Sequence, residues 1–250
     1  MKIKKIYDLS QPLGPNIPLW PWPGQMLDFA PYRVAFHERG GKSTAVLHCK
    51  MHTSTHMDAA FHVSCDGKYI DEIPLENCIG TGVVVSIPTK KWEEITPEML
   101  EAATPKIERG DIVVINTGWH KLFRKDNYAY MNYYGGMYRA AAEWFLDKGV
   151  KGVIIDQGAL DHPLAHPPLK ESMPWLYKEF IKETGEDPDV YWGEYEPCHH
   201  LLLDNGIIGV ENAGGDMDAA TGKRLTIAAF PLRWEFGDGS MVRVVGIEEE

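Results

Sequence analysis

A chain of 250 residues, 44% apolar and 24% charged, can bury a full core in one domain and lies in the ordinary range of globular proteins. Its formal net charge of −11 argues against a nucleic acid or an anionic membrane surface as partner. No apolar run approaches the ~20 residues of a membrane span, and the basic start at Met1–Asp8 has no apolar stretch behind it, so neither a span nor a signal peptide is expected.

In chain order, residues 5 to 9 predict a short first strand. Five prolines between 12 and 23 then forbid helix and central strand, leaving a stiff loop that holds Trp20 and Trp22. These two rings either pack in the core or wall a pocket for a flat ligand. Alternation from Tyr32 to Lys50 predicts two strands around a turn at Glu38-Arg39-Gly40-Gly41. A buried-type strand is expected at Thr81–Ile87, a capped helix start at Thr96-Pro97-Glu98, and another strand at Ile112–Asn116. Residues 120 to 138, rich in tyrosine and carrying Gly135 and Gly136, read as a mobile loop near an opening.

A helix over 138–148 and a strand at Gly152–Asp156 follow, and this alternation argues for a mixed α/β sheet. The proline-broken stretch from Asp161 to Glu196 holds a short helix at Pro174–Thr184. Next come a helical turn at His199–Gly206 and a strand at Ile207–Glu211. Strands at Leu225–Leu232 and Met241–Ile247, joined by a Gly-Asp-Gly-Ser turn, close the chain. With no repeat and no low-complexity linker, one domain over 1–250 is expected. Cys49, Cys65, Cys78 and Cys198 form no CxxC pair and read as free thiols of a cytoplasmic protein, with Cys198 of interest for its place beside His199.

The most informative run is His52-Thr-Ser-Thr-His56-Met-Asp58-Ala-Ala-Phe-His62. Imidazole and carboxylate in such density select a first-row metal such as zinc, manganese or iron over calcium. On a helix, Asp58 and His62 would point away from the face shared by His52 and His56. On an ideal strand, His52 and His56 would stand about 13 Å apart. A shared metal therefore requires a bent loop.

This run resembles the pattern His-x-Gly-Thr-His-x-Asp-x-Pro-x-His of the cyclase-like metal hydrolases, the group containing bacterial kynurenine formamidase and isatin hydrolase. His52, Thr55, His56, Asp58 and His62 match, while Ser54 replaces Gly and Ala60 replaces Pro. The Asp-Leu-Ser and Trp-Pro-Gly segments, the strand ending in Thr117-Gly118-Trp119 and the C-terminal stretch from Pro231 to Arg243 are similar to the family as well. The family segment Asp-x-x-Ser-x-Asp reads Asp156-Gln-Gly-Ala159-Leu-Asp161 here, so any hydroxyl contact from that serine is absent. Relative to the family the 162–196 stretch is long, and reads as a lid or a subunit contact.

What the resemblance implies is a mixed β/α/β, swivelling-domain-like cyclase fold. It further implies a homodimer or homotetramer, and one or two Zn²⁺ or Mn²⁺ ions. His199 and Glu211 reproduce the spacing of a second ligand pair in kynurenine formamidases, with His200 as an alternative register and Asp58 as the bridge between His52/His56 and His199/Glu211. His62 takes the role of general base, and Trp20 and Trp22 border the substrate. The activity so implied is hydrolysis of a C–N bond in a small cyclic amide or an N-formyl arylamine through a metal-activated water. The competing readings are a lactone or ester hydrolase with the same site and a non-catalytic metal- or small-molecule-binding protein.

Overall fold

The computed structural model describes residues 2–20, 29–35 and 40–250. Its strands are β1 (Ile3–Asp8), β2 (Phe29–Ala35), β3 (Thr44–Cys49), β4 (His56–Asp58), β5 (Ile79–Ser86), β6 (Ile112–Asn116), β7 (Gly152–Ile155), β8 (Ile208–Glu211), β9 (Arg224–Pro231) and β10 (Gly239–Glu249). β2 and β3 form the expected antiparallel pair, and residues 36–39 of its turn lie outside the described residues. The main sheet runs β1-β10-β4-β8-β7-β6-β5-β9, and β9 pairs back onto β10. A barrel-like sheet therefore closes, with β1 attached outside the ring along the far half of β10.

β5, β6, β7 and β8 are mutually parallel, while β4, β9 and β10 complete the ring in antiparallel pairs. Parallel strands covered on both faces need apolar residues at successive positions rather than alternate ones, which explains the unbroken Val-Val-Val of β5 and Ile-Val-Val-Ile of β6. Val84, Val114, Ile154 and Val210 meet Met57, Ile227 and Val244 inside the ring. The alternate residues, Val85, Val113, Ile115 and Val153, pack outward against helices. Those helices are α1 (Pro97–Glu101), α3 (Arg139–Lys148) and α7 (Pro197–Asp204). Thr96 caps α1 by accepting the Met99 N–H, as its sequence predicts.

The stretch 120–138 departs from the mobile-loop expectation. It forms a 3₁₀ turn over Trp119–Leu122 and the helix α2 (Asn127–Asn132), and Tyr130 and Tyr134 are fully buried. The tyrosine-rich composition reflects packing rather than an open loop. Cys198 is equally buried and its thiol is pushed up by burial, so it serves the core and not chemistry. All four cysteines are free thiols.

Residues 162–196 fold into α4 (Pro167–Ser172), α5 (Pro174–Thr184) and α6 (Pro188–Trp192), and a last helix, α8 (Met217–Ala220), follows β8. Leu176, Tyr177, Phe180 and Trp192 enclose Trp92 in a separate apolar cluster, against which Trp20, Tyr133 and Tyr138 pack. His162 opens this segment, fully buried and stacked on Trp192 at 3.6 Å between ring centres. Its Nδ1 accepts the Leu164 N–H and its Nε2 faces the Trp92 carbonyl at 3.2 Å, a pattern that suits one neutral tautomer.

Burial pushes the His162 imidazole down to about 3 from 6.5. Between those values the unfolded chain binds the proton and the native chain does not, so stability must fall as pH drops through that window. His162→Gln, which keeps a donor and an acceptor, is expected to lower the urea midpoint at pH 7.5 but to flatten its decline between pH 6.5 and 4. Equal slopes in the two proteins would remove His162 as the cause.

Candidate metal centre

The residues of the His52–His62 run reach one point because the backbone changes conformation twice within it. β4 is three residues long, so His56 and Asp58 lie on the same face of a strand. Before it the chain reverses at Ser54, which adopts a left-handed φ of 56°. Glycine takes that conformation at no steric cost, which accounts for the glycine at this place in the family pattern. Here the serine hydroxyl turns back onto the Gln11 carbonyl at 3.3 Å. After β4 a 3₁₀ turn over Ala60–His62 brings His62 back over the run.

The ladder supplies the next candidate ligand. His56 stands directly opposite Glu211 at the end of β8, and Asp58 lies opposite Gly239 at the start of β10. Gly239 is required by close approach, since a Cβ there would lie 2.7 Å from His52 Cε1. His199 enters from the first turn of α7. Asp161 fixes that turn: its carboxylate accepts the backbone N–H groups of Cys198 and His199 and bonds His199 Nδ1 at 2.6 Å. It thus caps the helix and aims the imidazole with one side chain.

Two donor groups share Asp58: His52, His56 and Asp58, and Asp58, His199 and Glu211. Within each, the ligand atoms lie within 4.8 Å of one another. Asp58 Oδ1 is 2.6 Å from His52 Nδ1 and 3.4 Å from His56 Nε2. Its Oδ2 is buried, 3.6 Å from His199 Nε2, and has no hydrogen-bond partner. An ionised carboxylate oxygen is expensive to bury without a partner, and a cation is the partner this donor set fits. Glu211 Oε1 lies 3.0 Å from His199 Nε2 and Oε2 3.5 Å from His56 Nε2. His200 lies partly exposed beside Asp204, outside the cluster.

The charges agree with this fit. Burial opposes a proton on His52, but Asp238 and Asp58 outweigh it and push the group up to about 10. Burial likewise opposes charge on His199, and Asp161, Asp58 and Glu211 override it upward. A field that holds protons on buried imidazoles would favour a divalent cation in their place, with release of the protons.

Asp238, from the turn between β9 and β10, accepts from His52 at 3.1 Å and was not anticipated from the sequence. Its signal was the Gly-Asp-Gly turn itself, where an aspartate has several ordinary roles. Asp161 was visible only as a fixed family position.

His62 stacks on His52 with ring centres 3.9 Å apart and lies 6.2 Å from the His199 ring. It is exposed to solvent and lines the pocket together with His52, His56, Asp58, His199, Glu211 and Trp20. Burial, then the neighbouring His52, push the His62 imidazole down to about 4. Trp22 lies outside the described residues.

Removing the Asp161 carboxylate should free the His199 ring without touching a ligand atom. Asp161→Asn is expected to weaken metal binding about 10–100-fold in chelator competition. Unchanged affinity would show that α7 alone orients the ring.

The Cyclase family model matches residues 7–162. Kynurenine formamidase of Bacillus cereus is 25% identical over 247 residues, covering 98% of both chains. That of Salinibacter ruber is 25% identical over 244 residues, covering 96% of both. Among solved structures, isatin hydrolase A from Ralstonia solanacearum superposes with a TM-score of 0.77 at 23% identity, over 98% of this chain and 92% of its own. With more than half its length matched by the family model, and a shared fold over nearly all of it, the chain belongs to the Cyclase family.

Proposed function

We propose that this protein is a metal-dependent hydrolase that cleaves the C–N bond of an N-formyl arylamine or a small cyclic amide. The observation that carries the reading is the buried Asp58 carboxylate, shared by two donor groups, one of its oxygens unpartnered, with a histidine outside both of those groups beside it. The names of the relatives, kynurenine formamidase and isatin hydrolase, supply the substrate class. His52, His56, Asp58, His199 and Glu211 would hold one or two ions, Zn²⁺ or Mn²⁺ by the chemistry of imidazole and carboxylate donors.

A bound divalent cation supplies Lewis acidity and brings the pKa of a water to about 7. His62 faces the pocket beside His52, placed to accept a proton from the attacking water and return it to the leaving nitrogen. Trp20, half-buried at the pocket wall, offers an apolar surface to the flat part of the substrate. Trp22 keeps the same role on the family resemblance.

We assign the protein to the cytoplasm, in keeping with its free cysteines; among the described residues no helix is long and apolar enough to cross a membrane. A homodimer or homotetramer is favoured by exposed apolar side chains in two places. These are Leu232, Trp234 and Phe236 beside the last turn, and Trp175, Ile181 and Val190 on α5 and α6. The second group would make residues 162–196 a subunit contact rather than a lid.

Protein stripped of metal and reloaded with zinc or manganese should hydrolyse N-formylkynurenine, isatin, a cyclic imide or a simple lactone. A lactone as the sole substrate would favour the ester-hydrolase alternative. His62→Ala is expected to lose about 10²–10⁴-fold in kcat while elemental analysis shows the same metal content. Equal loss of metal and activity would make His62 a ligand instead. Trp20→Ala should raise KM more than it lowers kcat, and the reverse result would remove it from ground-state binding.

A further inference from the structure

Strand β8 ends in a turn that puts two successive side chains into one cavity. In an extended strand successive side chains face opposite ways. Val210 accordingly lies in the ring core and Glu211 in the donor cluster. Asn212 should then point back toward the core, but its φ of 57° is left-handed, and it lines the same pocket as Glu211. Asparagine is among the few residues that take this conformation readily.

The polar groups of Asn212, which is 6% exposed, can be accounted for one by one. Its N–H donates to the Gln157 carbonyl at 2.9 Å, and its carbonyl accepts the Thr55 hydroxyl at 2.6 Å. Its Oδ1 accepts the hydroxyl of Tyr130 at 2.9 Å. That ring is fully buried, and its oxygen also lies 3.4 Å from the Asp156 carbonyl. A phenol has one proton to give, and the shorter contact takes it. Tyr130 thereby sets which way round the amide stands. The Asn212 NH₂ is left without a partner among the described residues, in a cavity that Met131, Gly158 and Ala159 also line. Four carboxylates line that cavity too, those of Asp58, Glu196, Glu211 and Asp238, and each opposes a negative charge forming on a ligand. An amide NH₂ donates with no charge of its own and neither gains nor loses a proton.

We propose that Asn212 Nδ2 donates to the acyl oxygen of the substrate and to the oxyanion formed there, with Tyr130 as the residue that positions it. This rests on the hydrolase reading for the reaction. Attack adds the water oxygen to the acyl carbon and moves the C=O π pair onto the acyl oxygen. Collapse restores the C=O as the C–N bond breaks. The bonding pair leaves on nitrogen, which takes up the proton that His62 accepted from the water. Negative charge sits on the acyl oxygen only between these steps, and a donor already aimed at it needs no reorganisation. A hydrogen bond to an ionised acceptor is about twice as strong as one to a neutral carbonyl. Asn212 therefore favours the charged stage over the bound substrate.

Asn212→Gly is the informative variant, because glycine takes a positive φ at no steric cost and only the amide is removed. In the metal-loaded protein it should lower kcat about 10²–10³-fold, with KM raised less than about tenfold. Metal content should not change. Tyr130→Phe should lower kcat about 3–10-fold and add nothing when combined with Asn212→Gly. Losses that add in the double variant would remove Tyr130 as the positioning residue. Binding is read separately by calorimetry with oxindole and indoline, a neutral pair of which only the first has a carbonyl. Asn212→Gly should weaken oxindole about 3–10-fold and leave indoline unchanged. Equal oxindole affinity in the two proteins overturns the proposal, as does failure of the native protein to bind oxindole. Loss of metal together with activity marks Asn212 as a support for Glu211 and overturns it as well. Asn212→Asp, isosteric but without the donor, should be no more active than Asn212→Gly. If it keeps native kcat, Oδ1 is the atom that meets the ligand and the proposal falls. Absence of turnover on every substrate would sink the hydrolase reading, while the oxindole comparison still decides the role of Asn212.

Discussion

A single buried carboxylate sets the terms for this molecule. Asp58 lies at 1% exposure between three imidazoles, His52, His56 and His199, with Oδ2 unpartnered. Removing such a charge from water costs several kcal/mol after relaxation, and neutral neighbours do not return that cost. A cation must be close, whether as protons on the imidazoles or as metal. Each of the surrounding features serves to hold that competition in place. His56 is locked by the ladder with Glu211, and its Nδ1 bonds the Ser54 carbonyl at 2.8 Å. His199 is locked by Asp161 and His52 by Asp238. Every imidazole in the set has its other nitrogen occupied, which fixes orientation before any ion arrives.

The closed sheet explains why these residues can be so far apart in sequence and still converge. Asp156 and Glu211 follow or end the parallel strands β7 and β8 on the same side of the ring, where side chains at carboxyl ends of neighbouring strands point into one crevice. Asp156 shows the cost of that arrangement. It is fully buried and accepts from the Thr117 and Gly118 N–H groups at 2.9 and 3.0 Å, with His120 Nδ1 at 2.7 Å. The Thr-Gly-Trp segment after β6 is thus tied to the end of β7 by a hydrogen-bonded network rather than by apolar packing.

The elements that the sequence predicts well are those whose signal is local. Continuous Val and Ile runs mark β5 to β8, and the Thr96-Pro97 cap marks α1, because burial on both faces and capping act within a few residues. The His52–His62 run is legible for the same reason, its candidate donors lying within eleven residues. Three things were out of reach. Ring closure by β9 onto β10 depends on pairing between distant segments that no local pattern encodes. The tyrosines of 120–138 have the composition of a loop, and only the tertiary context buries Tyr130 and Tyr134. The places of Asp161 and Asp238 are set by what lies opposite them in space, and a lone carboxylate in sequence is most often a solvated charge.

The long 162–196 segment carries this point further. Its two ends are not free to wander: the Glu196 N–H bonds the Ala165 carbonyl at 3.1 Å, so the segment leaves and re-enters the body at one place. A closed excursion of this kind adds little entropic cost as it lengthens, about 0.6 kcal/mol per doubling, and its helices pack among themselves around Trp92 and Trp192. Its length is therefore nearly neutral for the metal ligands, which Asp161 secures just before it begins. What the excursion changes is the wall of the pocket, since His166 lies just past one end and Glu196 lies at the other. The donors around Asp58 come from the run into β4, from the end of β8 and from α7, and the segment between β7 and α7 adds two residues to the pocket wall without contributing a donor to that set.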